Sequence, residues 1–504
     1  MKLLRTICVL AVALCFVTSA YAGTQSVKIS GDITMRSLFR GNYDLDQNHS
    51  ETMPTDVDVL LPTLPGGAKL LNIPGSSDWE SYFMSTVEVQ IDADLTDNVS
   101  AVIRLLNQRD WNRRNNYSNN VANTAYESYV AVGLQNDDEF NVNVDLAYVE
   151  LKEFLYSPLT LKVGRQDIWL GRGFIVGKNR QNPSRNISAP EYTAIDSFDA
   201  LRATLDYDPW TIDMFVSKVQ EGNISSNDDA TLTGVNVGYI FDVYNAEGEA
   251  YWVWKNDANT IQPNQVKSHN TIHTFGVRGS ADPIENWTLA SEIAFQGGDY
   301  VGYVNQDESR SRAAWALDVS AECRYFKENY AWKPVLGLEY VFYSGDDVDD
   351  PSTSTNGNYG GWDMMYRGKD DSRIREFFGR YYWSAQGLRS LTTNNTDNTN
   401  PEDSSTNQHQ LIVMGTLEPT DSLTFDARYL AFWQAEERNY IMSNGVSQKR
   451  DHYVGSEFDL QLTWDYTEDV SFGLVTAWFF PGSVYGEGSE SVATDVVGTM
   501  KLSF

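Results

Sequence analysis

Few residues in this chain have the types and spacing that catalysis needs. A covalent mechanism requires a nucleophile, a base and a group that orients the base. The chain has five histidines, and none sits in a motif with serine: His49, His269, His273, His409 and His452. Gly171-Arg172-Gly173 is followed by neither a P-loop lysine nor a helical pattern. These observations predict a protein that is not an enzyme.

A run of carboxylates is the one candidate metal site. The segment that starts at Ser344-Gly345 places four aspartates within five residues, and oxygen ligands of this kind suit calcium. The run lacks the glycine and the distal glutamate of an EF-hand loop. A solvated loop, or a loop that binds divalent ions between surface lipids, is the alternative. The candidate calcium ligands are Asp346, Asp347, Asp349 and Asp350.

Charged side chains that alternate with apolar ones are the most numerous candidates for function. The basic ones are Lys28, Arg36, Lys162, Arg202, Arg278, Arg324, Arg428 and Lys501. The acidic ones are Asp92, Asp206, Glu292, Asp318, Glu322, Asp426 and Glu457. If the apolar faces contact lipid, these charges line a lumen, where opposite signs on facing walls create a transverse field for a sliding polyion. Solvated salt bridges without selectivity are the alternative.

The elements that position these charges show a period of two residues, which is typical of β-strands. In the first strand Val27, Ile29 and Ile33 lie on one face, opposite Lys28 and Asp32. Eighteen such strands begin near residues 27, 82, 99, 139, 159, 197, 210, 231, 249, 271, 286, 312, 333, 409, 422, 454, 469 and 493. The last strand ends the chain on Phe504.

The connections between these strands alternate between long and short. The short ones include Asp208-Pro209 and Thr467-Glu468-Asp469. The long ones are roughly 40–78, 109–139, 171–196, 344–408 and 434–453. This sorting is typical of an all-β transmembrane antiparallel barrel with short periplasmic turns and long extracellular loops. An even strand count brings both chain ends to one rim, so that the barrel can close without a free edge.

The N-terminus has the pattern of a secretory signal peptide. Lys2 and Arg5 precede a short apolar run, and Ala20-Tyr21-Ala22 forms an A-x-A cleavage site. We therefore expect a signal peptide at 1–22 and an outer-membrane β-barrel at 23–504. Cleavage removes both basic residues, which makes the mature chain more acidic than the −31 of the whole sequence and argues against a nucleic-acid partner.

Six short blocks resemble the alginate-export family of outer-membrane porins. They are Asp145–Leu151, Val163–Asp167, Ser197–Arg202, Tyr343–Asp347, Gly455–Leu460 and Phe479–Gly482, and they occur in family order. The resemblance implies a monomeric eighteen-stranded barrel that passes anionic alginate outward through an arginine-lined lumen. It also implies that Arg165 contacts the polymer, with Arg202 and Glu457 nearby. Alternation alone places Arg165 with Val163 on the lipid face, and a bulge at Gly164 would reconcile the two.

The sequence thus predicts an outer-membrane channel for a polar or anionic solute, most concretely an alginate-like polysaccharide or its fragments. A general or uptake porin for small nutrients is the main alternative, followed by an outer-membrane hydrolase and a structural or adhesive barrel. The predicted partners are outer-membrane lipid, a polar or anionic saccharide and the barrel-assembly machinery. The residues expected to line the lumen or contact the solute are Lys162, Arg165, Arg202, Arg278, Arg324, Arg428, Asp318 and Glu457.

Overall fold

A computed structural model of the chain describes residues 26–43, 45, 79–111, 142–179, 187, 189–220, 229–257, 270–301, 309–346, 358–378, 406–436, 439–441, 447–449, 451–485 and 490–504. The predicted signal peptide lies outside these residues. Asp347, Asp349 and Asp350 also lie outside them. Within the described residues, no helix has the length and apolar character needed to cross a membrane.

Almost all of the regular structure is β-strand. The strands are β1 (Ser26–Gly41), β2 (Trp79–Thr96), β3 (Val99–Asp110), β4 (Asn143–Leu151), β5 (Leu159–Gln166), β6 (Phe198–Tyr207), β7 (Trp210–Gln220), β8 (Ala230–Ile240), β9 (Glu247–Asp257), β10 (Asn270–Ile284), β11 (Trp287–Val301), β12 (Ser309–Cys323), β13 (Val335–Tyr343), β14 (Gln408–Thr420), β15 (Leu423–Gln434), β16 (Asn439–Ile441), β17 (Ser447–Lys449), β18 (Tyr453–Asp465), β19 (Val470–Pro481) and β20 (Ala493–Ser503). A short helix, α1 (Tyr325–Asn329), precedes β13. The strands β16 and β17 pair only with each other.

The other eighteen strands form one closed antiparallel barrel, because β1 pairs with both β2 and β20. At the closing seam Gly31 and Phe504 exchange two backbone hydrogen bonds of 3.0 Å. The Phe504 ring lies where a Cβ on residue 31 would be, within 2.7 Å of such an atom, so glycine is needed there. The predicted strand count is confirmed, and the largest error in a predicted start is four residues, since β4 begins at 143 and not at 139.

The connections differ in length between the two rims of the barrel. On one rim, hereafter the short-connection rim, they run from two residues at 208–209 to the segment 324–334 that carries α1. On the other rim, the long-connection rim, they include residues 42–78, 111–142 and 344–407. The start of β1 and the end of β20 both lie on the short-connection rim.

The outer surface of the barrel is apolar and its inner surface is polar. Ile29, Val216, Phe275 and Leu338 point outward and are each more than half exposed. Aromatic side chains near strand ends are also exposed, and they include Tyr207, Trp210, Trp287, Trp332, Trp464, Tyr466 and Phe480. This distribution is the reverse of a water-soluble protein and fits a barrel whose outer face meets lipid.

Candidate functional site

Two connections from the long-connection rim fold into the barrel. Inner segment A comprises the described residues of 167–196, and inner segment B comprises residues 358–378. Their main chains pair with each other: Tyr366 N donates to Ile175 O at 3.0 Å, Gly177 N to Tyr366 O at 2.8 Å, and Gly368 N to Gly173 O at 2.8 Å. The two segments therefore act as one insert that narrows the lumen.

Inner segment B is fixed to one side of the barrel wall. Lys255 on β9 lies 3.1 Å from the Asp363 carboxylate, and both side chains are buried. Gln296 on β11 donates to the backbone carbonyl of Asp363 at 2.7 Å. Arg312 on β12 donates to Gly361 O at 2.6 Å. Because an unpaired buried charge is costly, these contacts hold the start of the segment firmly against β9, β11 and β12.

A buried charge network joins both inner segments to the wall. Lys369 of inner segment B contacts Glu339 and lies 2.9 Å from Asp318 and 3.0 Å from Asp371. Arg172 of inner segment A lies 3.7 Å from both Asp318 and Glu339. Asp318 was predicted to line the lumen, but the network covers it almost completely. It holds the insert in place and is not open to solute.

The part of the lumen along β1 to β6 is partly open to water. The inward side chains of Glu88, Arg104, Lys162 and Arg202 remain 20 to 25% exposed, in contrast to 2% for Asp318. We take these side chains to border the aqueous path, and we call this part of the lumen the constriction.

Carboxylates dominate one wall of the constriction. Arg104 Nε donates to Asp145 Oδ2 at 2.7 Å. The Arg104 guanidinium also lies 3.9 Å from Glu88 and 3.7 Å from Asp167. Asp167 is the first residue of inner segment A, and its side chain is 55% exposed. Three carboxylates thus share one arginine, and this wall is acidic.

Arginines of β1 and of inner segment B cluster around Tyr192. Arg36 and Arg373 approach the Tyr192 ring, with Cζ to centroid distances of 5.0 Å and 5.9 Å. The Phe377 ring packs edge-on against Tyr192 and lies 5.0 Å from the same Arg373 Cζ. Among the described residues neither arginine forms an ion pair. Arg36 donates one long hydrogen bond, of 3.4 Å, to Thr86 Oγ1. These two cations are available to an anion that passes.

Several of the predicted lumen cations are neutralised by wall carboxylates. Arg202 forms three hydrogen bonds to Asp213: Nε donates to Oδ1 at 2.8 Å and to Oδ2 at 2.9 Å, and Nη2 donates to Oδ2 at 2.6 Å. Arg278 binds Glu249 at 2.5 Å and Glu247 at 2.6 Å. Paired in this way, they contribute more to strand pairing than to anion attraction.

The other predicted cations lie in three different environments. Lys162 is 3.2 Å from Glu150 and 4.5 Å from the Tyr148 ring centroid. Arg428 donates to the backbone carbonyl of Asp371 at 3.3 Å. Arg324 begins the connection 324–334 on the short-connection rim, and its Nε donates to Glu322 Oε1 at 2.7 Å. Of the three, Lys162 borders the exposed part of the lumen.

Arg165 occupies a different position from the one that the resemblance implies. Its register partners are Ala147 and Asp199, and the Asp199 side chain is 61% exposed on the outer face. Nε of Arg165 donates to Ser197 Oγ at 3.0 Å and to the Asp145 carbonyl at 3.1 Å. Gly164 has a φ of +124°, yet the alternation of faces continues through it. The register therefore places Arg165 on the outer face.

Asp346 is the only candidate calcium ligand among the described residues, and it has other partners. Arg310 binds its carboxylate at 2.7 Å, and Gly360 N donates to it at 2.8 Å. The carboxylate thus ties the start of inner segment B to β12. The described part of the chain contains no cluster of three or more metal-ligating side chains. Calcium binding by the rest of the run stays a prediction.

Asp196 should make the charge of the constriction depend on pH. Burial raises the pKa of this carboxyl to about 6, against the lowering effect of Lys178, and Asp167 and Asp145 raise it further. A carboxyl group is neutral below its pKa. The constriction therefore loses the negative charge of Asp196 as the pH falls through about 6. We expect the reversal potential to shift toward anions over that range. Asp196→Asn should abolish the shift, and a shift that persists in this variant would assign the proton to another group.

Comparisons with known proteins agree on the type of barrel. A family model described as alginate export matches residues 73–499. No curated protein matches the sequence. The crystal structure of Acinetobacter baumannii OccAB1 is similar, with a TM-score of 0.53, 10% identity, and coverage of 96% of this chain and 98% of that one. Pseudomonas aeruginosa OccK11 (OpdR) has a TM-score of 0.48 at 10% identity, with coverage of 94% and 96%.

Proposed function

The chain belongs to the alginate export family, and from this membership we propose that its outer-membrane channel passes an anionic saccharide, either an alginate-like polysaccharide or its fragments. In this proposal the short-connection rim faces the periplasm, and a single barrel is the functional unit. The barrel-assembly machinery would insert it into the outer membrane.

The observation that carries this proposal is a pair of arginines in the constriction, Arg36 and Arg373, neither of which forms an ion pair among the described residues. A uronate polymer carries one carboxylate on every sugar, and guanidinium groups bind carboxylates well. The Cζ atoms of the two arginines lie 5.0 Å and 5.9 Å from the centroid of the Tyr192 ring. The carboxylates around Arg104 would repel the polymer and keep it from being trapped, as passage through a selective pore requires.

An uptake porin for small nutrients is the second candidate. It is favoured by the size of the insert and by the neutralisation of Arg202 and Arg278, which reduce both the width and the positive charge of the lumen. A small anion would need fewer free cations than a polymer.

Planar-bilayer recording with the purified barrel distinguishes these proposals. Oligouronates added to one side should interrupt the current in events that lengthen with chain length, whereas neutral oligosaccharides of equal length should not. The reversal potential in a salt gradient should show anion preference. Strong cation preference, or equal block by neutral sugars, would refute the anionic-saccharide proposal. Block by uronate monomers alone would favour the small-nutrient porin.

A further inference from the structure

Glu457 lies on the inward face of β18 and is completely buried. Its register partners, Leu430 and Phe479, also point inward and are buried. Two residues earlier Gly455 has a φ of +140°, and a Cβ there would collide with the carbonyl of Phe480. The register between β15 and β18 shifts at this glycine. The strand backbone of the barrel wall is therefore irregular close to the point where Glu457 contacts inner segment B.

The Glu457 carboxylate accepts three consecutive backbone N–H groups of inner segment B. The amides of Arg373 and Ile374 each lie 2.7 Å from Oε1, and the amide of Arg375 lies 2.9 Å from Oε2. These groups begin the helical turn Arg373–Phe378, where the first N–H groups have no partner inside the turn. Hydrogen bonds to a carboxylate are stronger than neutral ones, so Glu457 is the main wall anchor of the turn's backbone, and Asp459 on the same strand accepts a longer bond of 3.2 Å from the Arg373 amide.

The orientation of this turn decides where the Arg373 guanidinium lies. Among the described residues no carboxylate forms an ion pair with that guanidinium, and its Nε is buried without a hydrogen-bond partner. The side chain is held by its own backbone and by the rings of Phe377 and Tyr192. If the backbone at 373–375 turns, Arg373 leaves the constriction.

We infer that Glu457 is a positioning residue of the channel: it holds Arg373 at the edge of the aqueous path and thereby sets the width and the charge of the constriction. The sequence placed Glu457 among the residues that contact solute. Its complete burial under three N–H donors gives it a different role. The part of this inference that concerns anions rests on the proposed function, whereas the part that concerns width does not.

Glu457→Gln tests the inference with a side chain of nearly the same shape. The substitution removes the negative charge, and the glutamine NH₂ group is a donor that cannot accept from the backbone N–H groups. The turn should therefore lose hydrogen bonds to β18. We expect single-channel conductance to rise by about twofold, open-channel noise to increase, and the anion preference to fall to that of Arg373→Gln. Glu418→Gln is the matched control, because Glu418 binds Lys327 on the short-connection rim, away from the constriction.

The double variant Glu457→Gln with Arg373→Gln separates positioning from a direct charge effect. If Glu457 acts through Arg373, the double variant has the reversal potential of Arg373→Gln alone. Independent effects would add, and additive shifts would overturn the inference. So would an unchanged conductance and noise in a folded Glu457→Gln barrel, with folding judged by heat-modifiable migration in gels.

Ile374→Pro provides a second test that leaves the wall intact. Proline is tolerated in the first turn of a helix but removes its N–H, here one of the three groups that Glu457 accepts. Conductance should rise in the same direction as in Glu457→Gln, and an unchanged conductance would count against the anchor. If the wild-type channel shows no anion preference, the proposed function fails, yet a conductance change in these variants would still support the positioning role.

Discussion

Replacing both Arg36 and Arg373 with glutamine is expected to abolish the anion preference of the channel and to weaken oligouronate block by at least about 100-fold. Each hydrogen bond between charged partners contributes about 1.5 to 3 kcal/mol, and the two guanidinium groups are the cations of the constriction that form no ion pair among the described residues. Neither substitution leaves a partner carboxylate unpaired, so the barrel should fold normally.

The measurements are the reversal potential in a salt gradient and the concentration of oligouronate that blocks half of the openings. The control removes two positive charges elsewhere, at Lys327 and Lys333 on the short-connection rim, where both bind Glu418. The control variant should keep the anion preference and the block. Equal losses in the two double variants would mean that overall charge, and not the constriction, governs selectivity.

The strands could be predicted from the sequence because a barrel wall has lipid on one side and polar groups on the other. This requirement forces alternation, and it holds even at the closing seam, where Gly31 meets Phe504. The alternation of polar and apolar residues fails on β3. Its inward residues Val102 and Leu106 are apolar and buried. Both faces of the strand are therefore apolar around Arg104, and the pattern does not reveal that Arg104 points inward.

Neither the charge network that holds the insert nor the constriction could be predicted, because their residues meet only after the barrel closes. Lys369 has no periodic pattern around it, and its partners Asp318 and Glu339 come from two different strands. Arg373 is likewise held by a wall residue that lies far away in sequence. For Arg165, the register with Asp199 agrees with the face that alternation predicts. The local sequence pattern thus predicts the strands of the wall. Only the closed fold shows which charged side chains of the described residues form ion pairs.

The second large effect is expected from Lys369→Met, which should destabilise the barrel by about 3 to 5 kcal/mol and widen the pore. The substitution removes the cation shared by Asp318, Glu339 and Asp371, all of which are buried. Arg172 remains, but it lies 3.7 Å from the first two carboxylates. Their repulsion should push inner segment B off the wall and raise the conductance.

Neutralising the carboxylates should reverse this loss, because the cost comes from uncompensated buried charge and not from the missing lysine as such. Lys369→Met combined with Asp318→Asn and Glu339→Gln is therefore expected to recover most of the stability in urea unfolding followed by tryptophan fluorescence. Lys327→Met, at an exposed ion pair, should cost about 0 to 1 kcal/mol. If Lys369→Met is as stable as this control, the network does not hold the insert. If the triple variant is less stable than Lys369→Met, packing and hydrogen bonding outweigh charge, and the insert is fixed by shape.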